Sequence, residues 1–366
     1  MDARDIKFLN AFLHIPHVGG GTARLLKKHF TTFEAAWNAS DFARLASLSP
    51  RTQDALKSRV RIDPDKAARE LIRENIWVIT EEDEQYPAIL REIPYPPFAL
   101  FGQGNHECKD MFSTAPFALG IVGTRRPTRY GIEMTEKIAS EIAAYGGVVI
   151  SGLASGIDTA AHRATLDNKG KTIAVLGSGI DRPSLFPKEN IRLADKIIAS
   201  GGTILSEYPP GARARKEYFP QRNRIISGLS QGVLVVEARE KSGALITARF
   251  ALDQNREVFA IPGSILSPTS QGPHRLIQEG AKLVTSAKDI LEEFGIDAAE
   301  ESTKTFSGAL AEKEESLLLL LEEPLGVDML KQKNASDTAS LLATLSLLEL
   351  KGLIKNLGGD VYQKIN

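Results

Sequence analysis

Between about residues 70 and 295 the sequence repeats a pattern that admits few folds: short, nearly unbroken apolar runs separated by segments with helical spacing. The runs are IWVIT (76–80), FALFG (98–102), FALGIV (117–122), GVVIS (147–151), TIAVLG (172–177), TILSE (203–207), VLVVEA (233–238) and EVFAIP (257–262). A strand that is apolar on both faces has to be covered on both, and helical crossovers between parallel strands supply that cover. The expected fold class is therefore α/β: an extended, Rossmann-like, mostly parallel and doubly wound sheet over residues 69–295.

Helical patterns flank this core. Within residues 1–68, IPHVGGGTARLLKKHF reads as a helix end, a glycine turn at Gly19–Gly21, and a helix opening at Thr22. That is the order of a helix-hairpin-helix (SAM-like) domain, whose turn amides can approach a phosphate. An ordinary turn inside a small all-α domain has the same pattern. Residues 296–312 are acidic and rich in small side chains, as in a linker. Residues 313–366 follow the winged-helix order of three helices and a strand–Gly–Gly–strand hairpin. Leu341, Leu345 and Leu348 share one helical face and are expected in that domain's core. The opposite face carries Ser, Thr, Glu and Lys351, poor chemistry for reading a major groove, so a docking or weak-binding role is expected there.

A formal net charge of −1 does not by itself suggest a polyanion as partner. The charge is segregated, however. Residues 213–224 hold five Lys/Arg against one Glu, whereas residues 292–323 hold ten Asp/Glu against two Lys. It is the local field that a polyanion meets. No apolar run is long enough to span a bilayer, and the start MDARDIKFLNAFLHI lacks the pattern of a secretory signal. The lone Cys108 excludes an intrachain disulfide. A cytoplasmic location is the expectation.

In open parallel sheets ligands sit beyond the carboxyl ends of the strands. The segments there are Gly123-Thr124-Arg125-Arg126, Ser151-Gly152 through Gly156, Gly177-Ser-Gly179, and Lys241-Ser242-Gly243. Such glycine turns bring free amides and helix N-termini together, which favours phosphate. A dinucleotide fingerprint fails for want of its third glycine and its ribose-binding acid, and no Walker A motif is present. Basic residues instead accompany the loops: Arg125, Arg126, Arg129, Arg182, Lys188, Lys216, Arg222 and Arg224. That spread suits a chain of phosphates better than a single nucleotide. Tyr218 and Phe219 lie within the basic strip, the combination that binds single strands, although Phe219 could equally pack as core. Asn223 could meet a base edge or cap a helix running from Arg224.

Catalytic patterns are thin. No G-x-S-x-G elbow, HExxH or zinc-ligand spacing occurs. His162 reads as a general base or as a helix-packing histidine, and Asp158 as an acid placed by a helix dipole. No cofactor, metal or enzymatic activity is expected. The alternative is an enzyme on a Rossmann scaffold that acts on a nucleotide or phosphoribosyl compound.

The chain resembles the DNA-processing protein A family (DprA, also called Smf). The resemblance is carried by DEQYPAILREIPYPPFALFGQGN (83–105), GIVGTRRPTRYG (120–131), VISGLASGIDTAAHRATL (149–166), KTIAVLGSGIDRPSLFPKEN (171–190), LSEYPPG (205–211), FPQRNRIISGLSQGVLVVEAREKSGALITARFAL (219–252), VFAIPG (258–263) and HRLIQEGAKLV (274–284). It implies a cytosolic, non-catalytic protein that binds single-stranded DNA and loads a RecA-type recombinase during natural transformation. It also implies a homodimer joined through His274–Leu283, with Ile277 inside that stretch. The family's DNA-contacting arginine falls on Arg125, preceded by Thr124 where serine is usual. Its lysine falls on Lys188, with Phe186 where tyrosine is usual, and its Lys-x-x-Phe pair falls on Lys216 and Phe219.

Overall fold

The structure is a computed structural model and describes residues 1–42, 45, 48–105, 115–296, 312–334, 337–351 and 353–364. Cys108 and most of the acidic segment 296–312 lie outside the described residues. The chain divides into two compact units, Met1–Ile296 and Asp297–Asn366.

Each of the eight apolar runs forms a strand of one nine-stranded sheet. These are β1 (Trp77–Thr80), β2 (Ala99–Gly104), β3 (Ala118–Val122), β4 (Val148–Ser151), β5 (Lys171–Leu176), β6 (Thr203–Ser206), β7 (Gly232–Val235) and β8 (Glu257–Ala260). A ninth, β9 (Lys282–Leu283), is only two residues long, too short to carry a hydrophobic period. The order is β1-β2-β6-β5-β4-β3-β7-β8-β9, parallel from β6 to β9, with β1 and β2 antiparallel at the far edge.

From β3 the chain winds outward to β6 through helices Arg129–Ala144, Ile157–Asp167 and Ile191–Ala199. It then returns to the other side of β3 through helix Tyr218–Gly228 and continues through helix Gly243–Asp253. Every residue of β3, β4 and β7 is buried, as a sheet covered on both faces requires. Reversing the strand order at β3 parts the loops that follow β3, β4 and β7, and this opens a crevice.

The N-terminal helices belong to the same compact unit. Helix Gly20–His29 begins two residues before the expected Thr22, with Gly19 as its cap. A Cβ on Gly20 would lie 3.2 Å from Phe98 Cβ, so this glycine serves close packing against the start of β2. Phe8, Phe12, Leu26 and Phe33 close a core with Phe98 and Ala99.

The second unit holds helices Glu312–Leu320, Val327–Asn334 and Thr338–Leu350 and an antiparallel sheet of Leu325–Gly326, Val361–Lys364 and Ile354–Gly358. Leu341, Leu345 and Leu348 are buried there with Leu317, Leu330 and Tyr362.

Candidate nucleic-acid interface

Two adjoining cavities of about 260 Å³ and about 300 Å³ occupy the crevice, and Arg125, Ala154, Phe219 and Arg222 line both. Gly123, Thr124, Asn223, Ser242 and Gly243 line the first, whereas Gly152, Phe186 and Lys188 line the second. Residues from loops far apart in sequence thus meet at the switch in strand order.

The Arg125 guanidinium is exposed and lies over the Phe219 ring, 5.2 Å from its centroid. Phe219 is half-buried and tilts against Phe186 at 5.7 Å, with Phe186 41% exposed. Lys188 is exposed and donates to the carbonyl of Pro183 at 2.5 Å. Arg126 and Lys216 are exposed outside the cavities. Phe219 is therefore wall, reachable from the groove, rather than core.

Several expected residues serve the scaffold instead. Arg222 is 4% exposed and points inward, donating to the carbonyl of Gly152 at 2.6 Å and to that of Val175. Burial lowers its pKa to about 10, opposed by Asp158, so it stays charged at neutral pH. Arg224 Nη2 donates to both carboxylate oxygens of Glu207, at 2.7 and 2.9 Å. Arg182 pairs with Asp195, and Arg129 with Glu133. Asn223 does not cap a helix. It sits within helix Tyr218–Gly228, which starts before Pro220 because a proline in the first turn costs no intrahelical hydrogen bond. Its amide reaches the Gly243 carbonyl at 3.3 Å.

Some of the loop amides and glycines serve the protein's own packing. The Gly152 amide donates to Asp158, Gly179 to the Ala212 carbonyl, Thr124 to the Glu237 carbonyl, and Arg126 to Thr124 Oγ1. Gly177 lets Phe219 approach, since a Cβ there would lie 2.8 Å from the ring. Gly156, at φ +84°, passes so close to the β3 loop that a Cβ would lie 2.4 Å from the Thr124 carbonyl oxygen. The Ser151 hydroxyl is buried on the Ile121 carbonyl, and Ser242 caps its helix through the Ala244 amide. Four amides of these loops are thus already engaged within the protein.

Asp158 and His162 share helix Ile157–Asp167. Burial raises the Asp158 carboxyl above its ordinary range, offset by the Arg222 charge and the Ala154 and Gly152 amides. His162 is fully buried and lines neither cavity. The Thr172 hydroxyl donates to the Val149 carbonyl, so its oxygen accepts from His162 Nδ1 at 2.7 Å. His162 Nε2 then has no partner among the described residues. Burial lowers this imidazole to about 3, and it is a neutral packing group.

Among the described residues no group of three or more His, Cys, Asp or Glu side chains could hold a metal ion, and no helix is long and apolar enough to cross a membrane. His274 is half-buried on the Gly263 carbonyl at 3.0 Å, Ile277 is half-buried, and Leu283 is 46% exposed on edge strand β9. Sequence reading passed over Glu237, which is 2% exposed and holds the β3 loop. The available signal was an acid at the end of the apolar run VLVVEA.

A family model described as DNA recombination-mediator protein A matches residues 77–295. The chain belongs to this family. It is 44% identical to the DNA processing protein DprA of Bacillus subtilis (strain 168), over 70% of this chain and 88% of the relative. It is 35% identical to protein Smf of Synechocystis sp. (strain ATCC 27184 / PCC 6803 / Kazusa) over 97% of both chains. Among solved structures, the X-ray structure of DNA processing protein A from Streptococcus pneumoniae matches 80% of this chain and 98% of its own, with a TM-score of 0.65 and 39% identity. A Helicobacter pylori DNA processing protein A, described for its single-stranded DNA binding mode, matches 60% of this chain and 95% of its own, with a TM-score of 0.52 and 29% identity. These matches agree with the Rossmann-like reading of the sheet and with the resemblance read from the motifs.

Proposed function

We propose that this protein binds single-stranded DNA in the groove at the carboxyl edge of its sheet and loads a RecA-type recombinase onto it, as a recombination mediator in natural transformation. The observation that carries this reading is the Arg125 guanidinium lying over the Phe219 ring, beside Phe186 and Lys188. Cations spaced along a groove engage successive phosphates, and exposed aromatic faces accept the unstacked bases that only a single strand offers. The DNA-binding residues are Arg125, Arg126, Lys188, Lys216 and Phe219, approached by the loops at Gly123 and Gly243. Arg222 and Arg224 support that surface from within. The single-stranded DNA binding mode described for the Helicobacter pylori relative supports the choice of ligand.

The protein acts in the cytoplasm without catalysing a reaction, as a homodimer through His274, Ile277 and Leu283. Residues 1–68 and 313–366 form flanking helical and winged-helix domains. An enzyme acting on a nucleotide would need an acid–base group at the groove. The buried, neutral His162 and the engaged Asp158 are poorly suited to that task.

Competition between an oligonucleotide single strand and a blunt duplex of the same length, followed by gel shift, tests the choice of ligand. The single strand is expected to win by at least about tenfold. Equal or stronger duplex binding would overturn the reading.

A further inference from the structure

The β3 loop carries the exposed Arg125 and Arg126. We infer that Glu237, two residues beyond β7, is the positioning residue that holds this loop at the mouth of the groove. The inference rests on the DNA-binding reading above for its functional consequence, though not for its geometry.

Both ends of segment Thr124–Thr128 bond to this one residue, and the Ile157 amide adds a second hold on the Thr124 end by donating to the Thr124 carbonyl. The Glu237 carbonyl accepts from the Thr124 amide at 2.7 Å. Its carboxylate accepts from the Thr128 amide at 2.8 Å through Oε2 and from the Thr128 hydroxyl at 2.7 Å through Oε1. Oε1 takes a third donor, the Thr269 hydroxyl, at 2.8 Å. All three donors to the carboxylate are uncharged, and the acid is 2% exposed, so it serves as a hydrogen-bond hub and not as half of an ion pair.

The same carboxylate lies against the first turn of helix Arg129–Ala144. Thr128 Oγ1 accepts from the Gly131 amide and caps that helix, and a Cβ on Gly131 would fall 2.2 Å from Glu237 Oε2. The positive end of the helix dipole favours a carboxylate at this point. Glycine at 131 is thus the space the acid needs.

A loop clamped at both ends presents its arginines already ordered. Released, it must be ordered on each binding event, and that conformational entropy is subtracted from affinity. Releasing the Thr128 end of the clamp is therefore expected to weaken single-strand binding by about tenfold through the arginine loop, leaving Lys188 to act as before.

The test uses the full chain with Glu237→Ala, Glu237→Gln and Thr128→Val, each alone and with Arg125→Ala or Lys188→Ala. Glutamine keeps an oxygen for the Thr128 amide while both threonine hydroxyls can turn to accept from its NH2, so it should restore most of the binding. Amide hydrogen exchange without DNA should rise at Thr128 and Arg126 in Glu237→Ala, stay low at Thr124, which the Glu237 backbone carbonyl still holds, and stay at wild-type levels across β4 and β5. The loss of affinity should be non-additive with Arg125→Ala and additive with Lys188→Ala. Wild-type exchange in the loop of Glu237→Ala, or a loss that simply adds to that of Arg125→Ala, would overturn the inference. Should Glu237→Ala fail to fold, Thr128→Val carries the same comparison. If Arg125→Ala alone binds as wild type, the DNA reading fails, while loop exchange still judges Glu237.

Discussion

His162 carries a charge consequence that its sequence position could not reveal. The folded protein holds this imidazole neutral, with its pKa down at about 3, whereas an unfolded chain returns it to about 6.5. Below pH 6.5 the unfolded state therefore binds the extra proton. Stability from this residue is fully present above about pH 6.5 and is lost as pH falls toward 3, by up to about 1.4 kcal/mol per pH unit. His162→Gln, which does not titrate, should remove that slope from urea unfolding measured between pH 7 and pH 4.5. Identical pH dependence in variant and wild type would contradict the neutral, buried assignment. From sequence, packing and general-base roles stood side by side for His162, because a helical periodicity does not say what lies opposite. The partner that separates them, Thr172, comes from β5.

At the scale of elements, the strands were legible because burial on both faces writes itself as contiguous apolar residues. Strand β9 was not, since Lys282-Leu283 has too few residues to show a period. The helix carrying Phe219 starts at Tyr218, ahead of the start at Arg224 that an Asn223 cap would imply, and its first-turn Pro220 is compatible with helix. That shift moves Arg222 to mid-helix and buries it between the ends of β4 and β5, where it bonds the Gly152 and Val175 carbonyls near the acid Asp158. The charge pattern alone sets it beside Lys216 and Arg224 as a DNA-contacting residue. Arg222→Met should leave a buried acid and two carbonyls uncompensated, costing about 3–5 kcal/mol of unfolding free energy. A loss below about 1 kcal/mol by urea denaturation would show that this arginine does not join the elements.

For the molecule as a whole, strand order does what no single motif could. Eight apolar runs indicated a doubly wound sheet, but the point where its winding reverses, and hence which loops meet, emerges only from the pairing of β3 with both β4 and β7. Arg125, Lys188 and Phe219 are 31 to 94 positions apart in sequence and line the same crevice. The basic strip remains part of that surface, with Lys216 and Phe219 outward and Arg222 and Arg224 inward. The central claim is that the outward set grips the phosphates of a single strand, and the salt dependence of binding tests it most directly. Affinity for a single-stranded oligonucleotide, measured by gel shift over a salt series, should fall linearly in logarithmic terms as salt rises. Arg125→Ala should bind more weakly at every salt concentration and flatten the slope by about one phosphate contact. A variant with the wild-type affinity and slope would contradict the account.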